Sequence, residues 1–358
     1  MTKNIVEVWM YEALIGRLAI TPDGLCAFEY DAQFLKDGFS ISPYALPLEK
    51  RVFVAERDPF DGNFGVFDDS LPDGWGSLLL DRYLKERGRD IEKLSVLERL
   101  SLIGANGRGA LEYRPDESFL KTAEFENFDK LAADCTNILA EKETDESTVE
   151  ELYKYAGSSG GARPKVFAKF DGREWLVKFK AGNDPKNVGE IEYEYSMLAK
   201  ACGIEMPETR LLQGKYFAVE RFDRSPRGKI HTITASGLVN AYYRMPSLDY
   251  ADLLLVCKNL TKDARQVLQM YRRMVFNVLI GNKDDHSKNF AFQYDKGKWK
   301  LSPAYDLLPS SGFNGRHTTS INGKGEPGLE DMLELALKSG ISKKTALSIH
   351  NEIQTAIS

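Results

Sequence analysis

Over residues 1–115, apolar and polar positions change places in short runs. Ile5-Val6-Glu7-Val8-Trp9 keeps the period of two that marks a half-buried strand. Gly16-Arg17-Leu18-Ala19-Ile20 and Leu25-Cys26-Ala27-Phe28-Glu29-Tyr30 flank Thr21-Pro22-Asp23-Gly24, a strand–turn–strand pattern. The period lengthens after Ser70-Leu71-Pro72-Asp73-Gly74-Trp75-Gly76. Leu78-Leu79-Leu80-Asp81-Arg82-Tyr83-Leu84 predicts a helix, with Asp73 or Ser77 as its cap. Gly104-Ala105-Asn106-Gly107-Arg108-Gly109 holds three glycines but no helix starts at it, so it reads as a tight structural turn rather than a phosphate loop.

Residues 116–152 are polar, with the charge run Glu141-Lys142-Glu143-Thr144-Asp145-Glu146, and read as a solvated surface or a connection. Strand patterns return at Val166-Phe167-Ala168-Lys169-Phe170 and Trp175-Leu176-Val177-Lys178-Phe179, joined by an Asp171-Gly172 turn. A helix over 190–202 carries Ile191, Tyr195, Leu198 and Cys202 on one face and ends at Gly203. Tyr216-Phe217-Ala218-Val219 reads as a buried strand. Helices follow over 249–260 and 264–280, the second with Val267, Tyr271, Met274, Val275 and Val278 as its buried stripe. Phe290, Phe292 and Tyr294 then alternate, as do Trp299 and Leu301, around Asp295-Lys296-Gly297. That is a hairpin. From residue 329 the pattern is again mostly helical.

The chain has 358 residues, which suits two or three domains at ~150 residues each. A net charge of −5 argues against nucleic acid as the main ligand of the isolated chain. The cysteines Cys26, Cys135, Cys202 and Cys257 are far apart, which predicts reduced, mostly buried thiols. No apolar run approaches ~18 residues, and Glu7 and Glu12 make the N-terminal stretch a poor signal peptide. The expectation is a soluble, cytoplasmic chain with no membrane segment.

Chemistry concentrates in Asn282-Lys283-Asp284-Asp285-His286-Ser287-Lys288-Asn289. An Asp followed five positions later by an Asn is the spacing of a kinase catalytic loop, where the Asp takes the substrate hydroxyl proton and the Asn binds Mg²⁺. The hairpin that follows brings Asp306 back beside Asn289, and this pair suits a hard, oxygen-seeking cation. On its own the loop could equally be a polar turn, since Asp and Asn favour turns for backbone reasons. The upstream chain decides against that. Gly157-Ser158-Ser159-Gly160-Gly161-Ala162-Arg163-Pro164-Lys165 fits neither a Walker A loop nor GxGxxG. A Ser-Gly run of this kind is often a linker, yet this one feeds a strand and can lay N–H groups on phosphates, with Arg163 and Lys165 adding charge. Lys178 lies within a strand, where a kinase lysine reaches the α- and β-phosphates, and Glu192 or Glu194 could face it. Loop, strand lysine, helix Glu, hinge at 220–224, helices, Asp-x₄-Asn, hairpin and Asp follow in kinase order.

At this point a family is recognisable. The chain resembles the HipA family, bacterial serine/threonine kinase toxins of type II toxin–antitoxin pairs. The resemblance rests on Gly161-Ala162-Arg163-Pro164-Lys165, Val219-Glu220-Arg221-Phe222-Asp223-Arg224, the 282–290 block and Ser302-Pro303-Ala304-Tyr305-Asp306. It extends to Phe39-Ser40-Ile41-Ser42-Pro43 and Ser70-Leu71-Pro72-Asp73-Gly74, and so covers essentially the whole chain.

The resemblance implies an α+β fold: a kinase-like two-lobe architecture with an added β-rich module and a mostly helical C-terminal lobe. It divides the chain into 1–115, 116–224 and 225–358. It implies ATP and Mg²⁺ as cofactors, Asp284 as general base and Asn289 and Asp306 as metal ligands. His286 would donate to the γ-phosphate. Gly160, Gly161, Ala162, Arg163, Lys165 and Lys178 would hold the phosphates, and Glu220, Phe222 and Tyr305 the rest of the nucleotide. A serine in the phosphate loop is autophosphorylated in the family; counting back from Gly161 it falls on Ser158, with Ser159 adjacent. Pro164 removes one backbone donor from that loop. The implied partners are a protein substrate, an aminoacyl-tRNA synthetase in the family, and a helix-turn-helix antitoxin through which DNA is reached. The chain looks shorter than typical members at its C-terminal end, where the family contacts DNA. Two other readings stay open: a kinase-shaped subunit that docks an antitoxin with little catalysis, and a small-molecule phosphotransferase.

Overall fold

The computed structural model describes residues 4–118, 127–142, 145–157 and 160–358. The fold is α+β, with several separate sheets. The chain parts into two compact units, one formed by residues 1–190 and 209–231, the other by 191–208 and 232–358.

In the first unit, antiparallel strands run in the order Val52–Val54, Cys26–Tyr30, Ala13–Ile20, Ile5–Met10, Glu112–Arg114. The expected alternation is there. Val6, Val8 and Met10 are buried, as are Ile15, Leu18, Phe28 and Tyr30 on the neighbouring strands, while Ile5 is exposed. A second antiparallel sheet has the order Lys165–Phe170, Arg173–Lys178, Tyr216–Glu220, Thr209–Leu212. Asp171 and Gly172 both take positive φ at its first turn, as the sequence predicts.

The polar stretch before that sheet is not a bare connection. It forms helices Phe128–Leu139 and Glu146–Ala156. Phe128, Leu131, Cys135 and Ile138 recur at helical spacing and enter one core with Leu79, Leu80, Tyr83, Val149, Leu152, Tyr153, Val166 and Trp175. Each such buried side chain contributes about 1.5–3 kcal/mol, which outweighs the solvated remainder of these helices. Helix Gly74–Lys85 shares this core through Trp75.

The second unit is built on helix Ala264–Ile280, the span that the sequence predicts. Its burial differs from the expected stripe. Met270, Arg273, Phe276 and Asn277 are buried along with Val267, Tyr271, Met274 and Val275, while Val278 is only half-buried. Helices Tyr250–Thr261 and Lys343–Ile357 pack against it. Strands Ala291–Asp295 and Lys298–Leu301 form the expected hairpin, with Phe292 opposite Leu301, Tyr294 opposite Trp299, and Lys296-Gly297 in left-handed conformation at its turn. All four cysteines are free and buried. Among the described residues no helix is long and apolar enough to cross a membrane.

Candidate functional site

In the second unit, Gly281 ends helix Ala264–Ile280 with a left-handed turn at φ +68. The chain leaves at once into the Asp-x₄-Asn loop. Asp284 is exposed and its neighbour Asp285 is fully buried. Asn289 donates its Nδ2–H to the Asp284 carbonyl at 2.7 Å, which closes the loop and fixes how the amide is turned. Asn289 Oδ1 is the atom that a hard cation would take. His286 caps the short helix Ser287–Asn289, its Nδ1 accepting from Lys288 N at 3.2 Å.

Asp285 is the anchor of this loop. Its Oδ1 accepts from the backbone of Thr318 at 2.9 Å and Thr319 at 3.1 Å. Its Oδ2 accepts from the Tyr250 hydroxyl at 2.8 Å and lies 3.0 Å from His317 Nδ1. A carboxylate with four such partners and no exposed surface is occupied in holding structure. Of the two adjacent aspartates, only Asp284 is exposed.

Asp306 is also exposed and sits at φ +54, a left-handed conformation that costs a non-glycine residue ~1–2 kcal/mol. The surrounding bonds hold it there. Arg273 donates to the Ser302 carbonyl, Ala304 N–H to the Glu205 carbonyl at 2.8 Å, the Tyr305 hydroxyl to the Lys288 carbonyl at 2.6 Å, and Asn282 Nδ2 to the Asp306 carbonyl at 3.1 Å. The Tyr305 bond ties the Asp306 segment to the Asn289 segment. Arg273 is 2% exposed, and its Nε and Nη1 lack partners among the described residues.

Among the described residues no three His, Cys, Asp or Glu gather as a metal cluster. One Asn and one Asp still fit Mg²⁺. That ion keeps several waters and takes the rest of its oxygens from substrate phosphates.

In the first unit, Lys178 closes strand Arg173–Lys178 directly opposite Lys165. Both are buried, and Lys178 Nζ lies 5.6 Å from the centre of the Phe217 ring. The loop ahead of Lys165 is bound to the start of helix Gly74–Lys85. Gly161 donates its N–H to Asp73 Oδ1, Trp75 N–H donates to the Gly161 carbonyl at 3.0 Å, and Trp75 Nε1 donates to the Lys165 carbonyl at 3.2 Å. A Cβ on Gly74 would meet the Gly161 carbonyl at 2.5 Å, so only glycine allows this approach. Asp73 does stand at the helix start, but its side chain makes no capping bond to that helix. Lys165 Nζ donates to the Gly160 carbonyl, and Arg163 forms an ion pair with Asp184 at 3.0 Å. Ala162 lies between these engaged residues. Ser158 and Ser159 are outside the described residues.

The contacts of the 220–224 motif are structural ones. Glu220 pairs with Arg173 at 3.1 Å, and Phe222 is half-buried. Arg221 and Arg224 clasp the buried Asp223 at 2.9 and 3.0 Å. The same group reaches the turn at 104–109: Gly109 N–H donates to Asp223 at 2.8 Å, and Arg224 donates to the carbonyls of Gly107 and Gly109. The glycine turn is thus a structural one. Burial alone would raise the Asp223 carboxyl, but the two guanidiniums override it and hold it well below the usual carboxylate range.

On helix Val188–Ala201, Glu192 is buried and Glu194 exposed, which separates the two candidates for the helix carboxylate. Sequence reasoning took Asp73 for a candidate helix cap rather than the acceptor for Gly161 N–H, and missed Asn282, Arg273 and the anchoring role of Asp285. The Pro-Asp-Gly-Trp run was a visible signal for the first; the others depend on contacts between distant parts of the chain.

Two family models match the chain. Residues 157–358 match the HipA-like C-terminal domain, and residues 6–114 match the HipA N-terminal domain. The chain belongs to the HipA family. Its relatives include two proteins of Sinorhizobium fredii. "Putative kinase Y4dM" is 24% identical, over 98% of this chain and 89% of the relative. "Putative kinase Y4mE" is 25% identical, over 87% of this chain and 79% of the relative. Among solved structures, HipA of Shewanella oneidensis MR-1, determined in a toxin–antitoxin complex with HipB and operator DNA, aligns with a TM-score of 0.72. It is 19% identical, over 98% of this chain and 88% of that chain. That likeness is one of fold.

Proposed function

We propose that this HipA-family chain is an ATP- and Mg²⁺-dependent serine/threonine protein kinase that acts as the toxin of a toxin–antitoxin pair. The observation that carries the reading is the division of labour at 284–289. Asp284 is exposed, Asn289 is locked to it, and the adjacent Asp285 is consumed as the anchor.

In this reading the substrate hydroxyl oxygen attacks the γ-phosphorus, the bond from that phosphorus to the β-phosphate oxygen breaks, and ADP leaves. Asp284 takes the hydroxyl proton. His286 donates to the γ-phosphate as charge develops. Lys178 holds the α- and β-phosphates, assisted by Gly160, Gly161, Ala162, Arg163 and Lys165 of the loop. Glu220, Phe222 and Tyr305 hold the nucleotide's remaining surface. Asn289 and Asp306 would hold Mg²⁺, which when bound neutralises charge on the β- and γ-phosphates.

The protein target belongs to translation, an aminoacyl-tRNA synthetase being the family's example. A helix-turn-helix antitoxin is the partner that brings the chain to DNA; the HipA of Shewanella oneidensis was solved with HipB and operator DNA. Phosphorylation of Ser158, or of Ser159 beside it, switches the kinase off. The domains are a β-rich module at 1–115, the nucleotide-loop lobe at 116–224 and the helical lobe at 225–358.

A binding subunit with little catalysis is the second reading. It is favoured by the engaged loop, in which Gly161 N–H, Arg163 and Lys165 all have partners within the protein. Mass spectrometry of host phosphoproteins after brief expression separates the two. The kinase reading expects new phosphoserine or phosphothreonine sites with the intact chain and none with Asp284→Ala. Identical phosphoproteomes would leave the binding reading.

A further inference from the structure

Three hydrogen bonds join the backbone of Asp284 to that of Asp306. Asp284 N–H donates to Ser310 Oγ at 2.8 Å. Ser310 Oγ donates to Asn282 Oδ1 at 3.2 Å. Asn282 Nδ2 donates to the Asp306 carbonyl at 3.1 Å and, with its second hydrogen, to Asn277 Oδ1 at 3.0 Å. Asn282 is 3% exposed, and every polar atom of its amide is used. Backbone pairing reinforces the link: Asn282 and Ser310 form a parallel bridge, and Ser310 N–H donates to the Gly281 carbonyl at 3.1 Å.

The residue types suit these places. The Ser310 hydroxyl accepts one bond and donates one, as the chain of bonds demands. Asn282 must donate twice and accept once; an aspartate there would have no hydrogen for the Asp306 carbonyl or for Asn277. The bond to the Asp306 carbonyl fixes the peptide plane that follows the left-handed Asp306 residue. The bond to Asp284 N–H fixes the plane that precedes the Asp284 side chain. These two planes set where the two exposed carboxylates stand relative to each other.

We infer that Asn282 and Ser310 are positioning residues, a relay that holds the metal-binding carboxylate of Asp306 in register with the base Asp284. This rests on the roles proposed above for Asp284 and Asp306. Neither Asn282 nor Ser310 touches substrate; both act through the aspartates. Outer groups that orient metal ligands typically contribute 10–100-fold in metal affinity or activity.

The test measures steady-state phosphotransfer against Mg²⁺ concentration at saturating ATP, and separately Mg²⁺ binding by calorimetry in the presence of a non-hydrolysable ATP analogue, for the intact chain, Asp284→Asn, Ser310→Ala, Ser310→Thr and Asn282→Ala. Ser310→Ala is expected to lower kcat by about 10-fold or more and to raise the half-saturating Mg²⁺. KM for ATP at saturating Mg²⁺ should stay unchanged. Ser310→Thr, which keeps the hydroxyl, should restore most of both. Combining Asn282→Ala with Ser310→Ala should cost little more than Asn282→Ala alone, because both cut one chain of bonds. Should Asn282→Ala not fold, the two Ser310 variants decide. A Ser310→Ala enzyme with the intact kcat and Mg²⁺ dependence overturns the relay, as does a Ser310→Thr enzyme no better than Ser310→Ala. If the intact chain transfers no phosphate, the kinase reading fails; if Asp284→Asn transfers it as fast as the intact chain, only the base assignment fails; in either case the relay fails with it.

Discussion

Asp73 takes the backbone N–H of Gly161 into its carboxylate, although 88 positions separate the two in sequence. The bond fastens the small-residue loop ahead of strand Lys165–Phe170 to the start of helix Gly74–Lys85, and Trp75 adds two more bonds at the same place. An N–H given to a carboxylate is not available to a phosphate. The carboxylate also adds a negative charge where the proposed nucleotide brings several.

Replacing Asp73 with Ala should therefore tighten ATP binding. After discounting for solvent at this half-buried residue, the effect expected is ~1 kcal/mol, roughly five-fold in Kd. Calorimetry with Mg-ATP measures it. Weaker binding in Asp73→Ala would mean that Asp73 braces the loop in its binding form.

Asp284 and Asp285 should separate cleanly on mutation. Asp285→Ala strands the Thr318 and Thr319 N–H groups and the Tyr250 hydroxyl, at ~1–3 kcal/mol each, so a loss of about 3 kcal/mol or more is expected in denaturant unfolding. Asp284→Asn, at an exposed position, should unfold within ~0.5 kcal/mol of the intact chain. Equal stability of the two variants would remove the anchor assignment for Asp285.

The fold should weaken in mild acid through His231. This side chain is fully buried, with Nε2 2.8 Å from the Ile41 carbonyl and the Phe39 ring beside it. Burial pulls its pKa from 6.5 to about 4, against the smaller raising effect of the Ile41 carbonyl. Between these values the unfolded chain binds a proton that the folded chain does not. The contribution is complete above pH 6.5 and is lost as pH falls toward 4, at ~1.4 kcal/mol per unit and roughly 3 kcal/mol in all. Unfolding free energies at pH 7 and pH 5 should show the drop, and His231→Gln should flatten it. An equal slope in that variant would place the acid sensitivity elsewhere.

Much of this arrangement is legible in the chain itself. The hairpin at 291–301 shows because its side chains alternate around Lys296-Gly297, and helix Ala264–Ile280 because its apolar residues keep one period to a glycine stop. Helices Phe128–Leu139 and Glu146–Ala156 are harder to see. Their few apolar residues are diluted by polar ones, and only the sheet they pack on makes that spacing count. The sequence also cannot rank Asp284 against Asp285, since the groups that claim Asp285 arrive from Tyr250 and from 317–319. Arg273 and Asn277 break the apolar stripe of their helix for the same reason: their partners lie on other segments. The charged 220–224 motif reads in sequence as a nucleotide hinge, whereas in the structure three of its residues secure the glycine turn at 104–109.

Autophosphorylation should mark the loop. A phosphate brings about −1.5 to −2 charges at neutral pH and would repel a nucleotide's own phosphates. Incubation with Mg-ATP should add one phosphate to Ser158, or to Ser159, and lower ATP affinity, while Ser158→Ala retains it. Peptide mapping reads this directly. An active preparation with neither serine modified would remove the switch and leave the kinase assignment standing.

The central claim is that the chain transfers the γ-phosphate of ATP to protein hydroxyls with Asp284 as base. The most direct measurement is the initial rate of that transfer at saturating ATP and Mg²⁺, for the intact chain and for Asp284→Asn. A base in this position typically contributes ~10²–10⁴-fold, so the variant should be slower by that factor while still binding ATP. No transfer by the intact chain, or equal rates for the two proteins, would contradict the account.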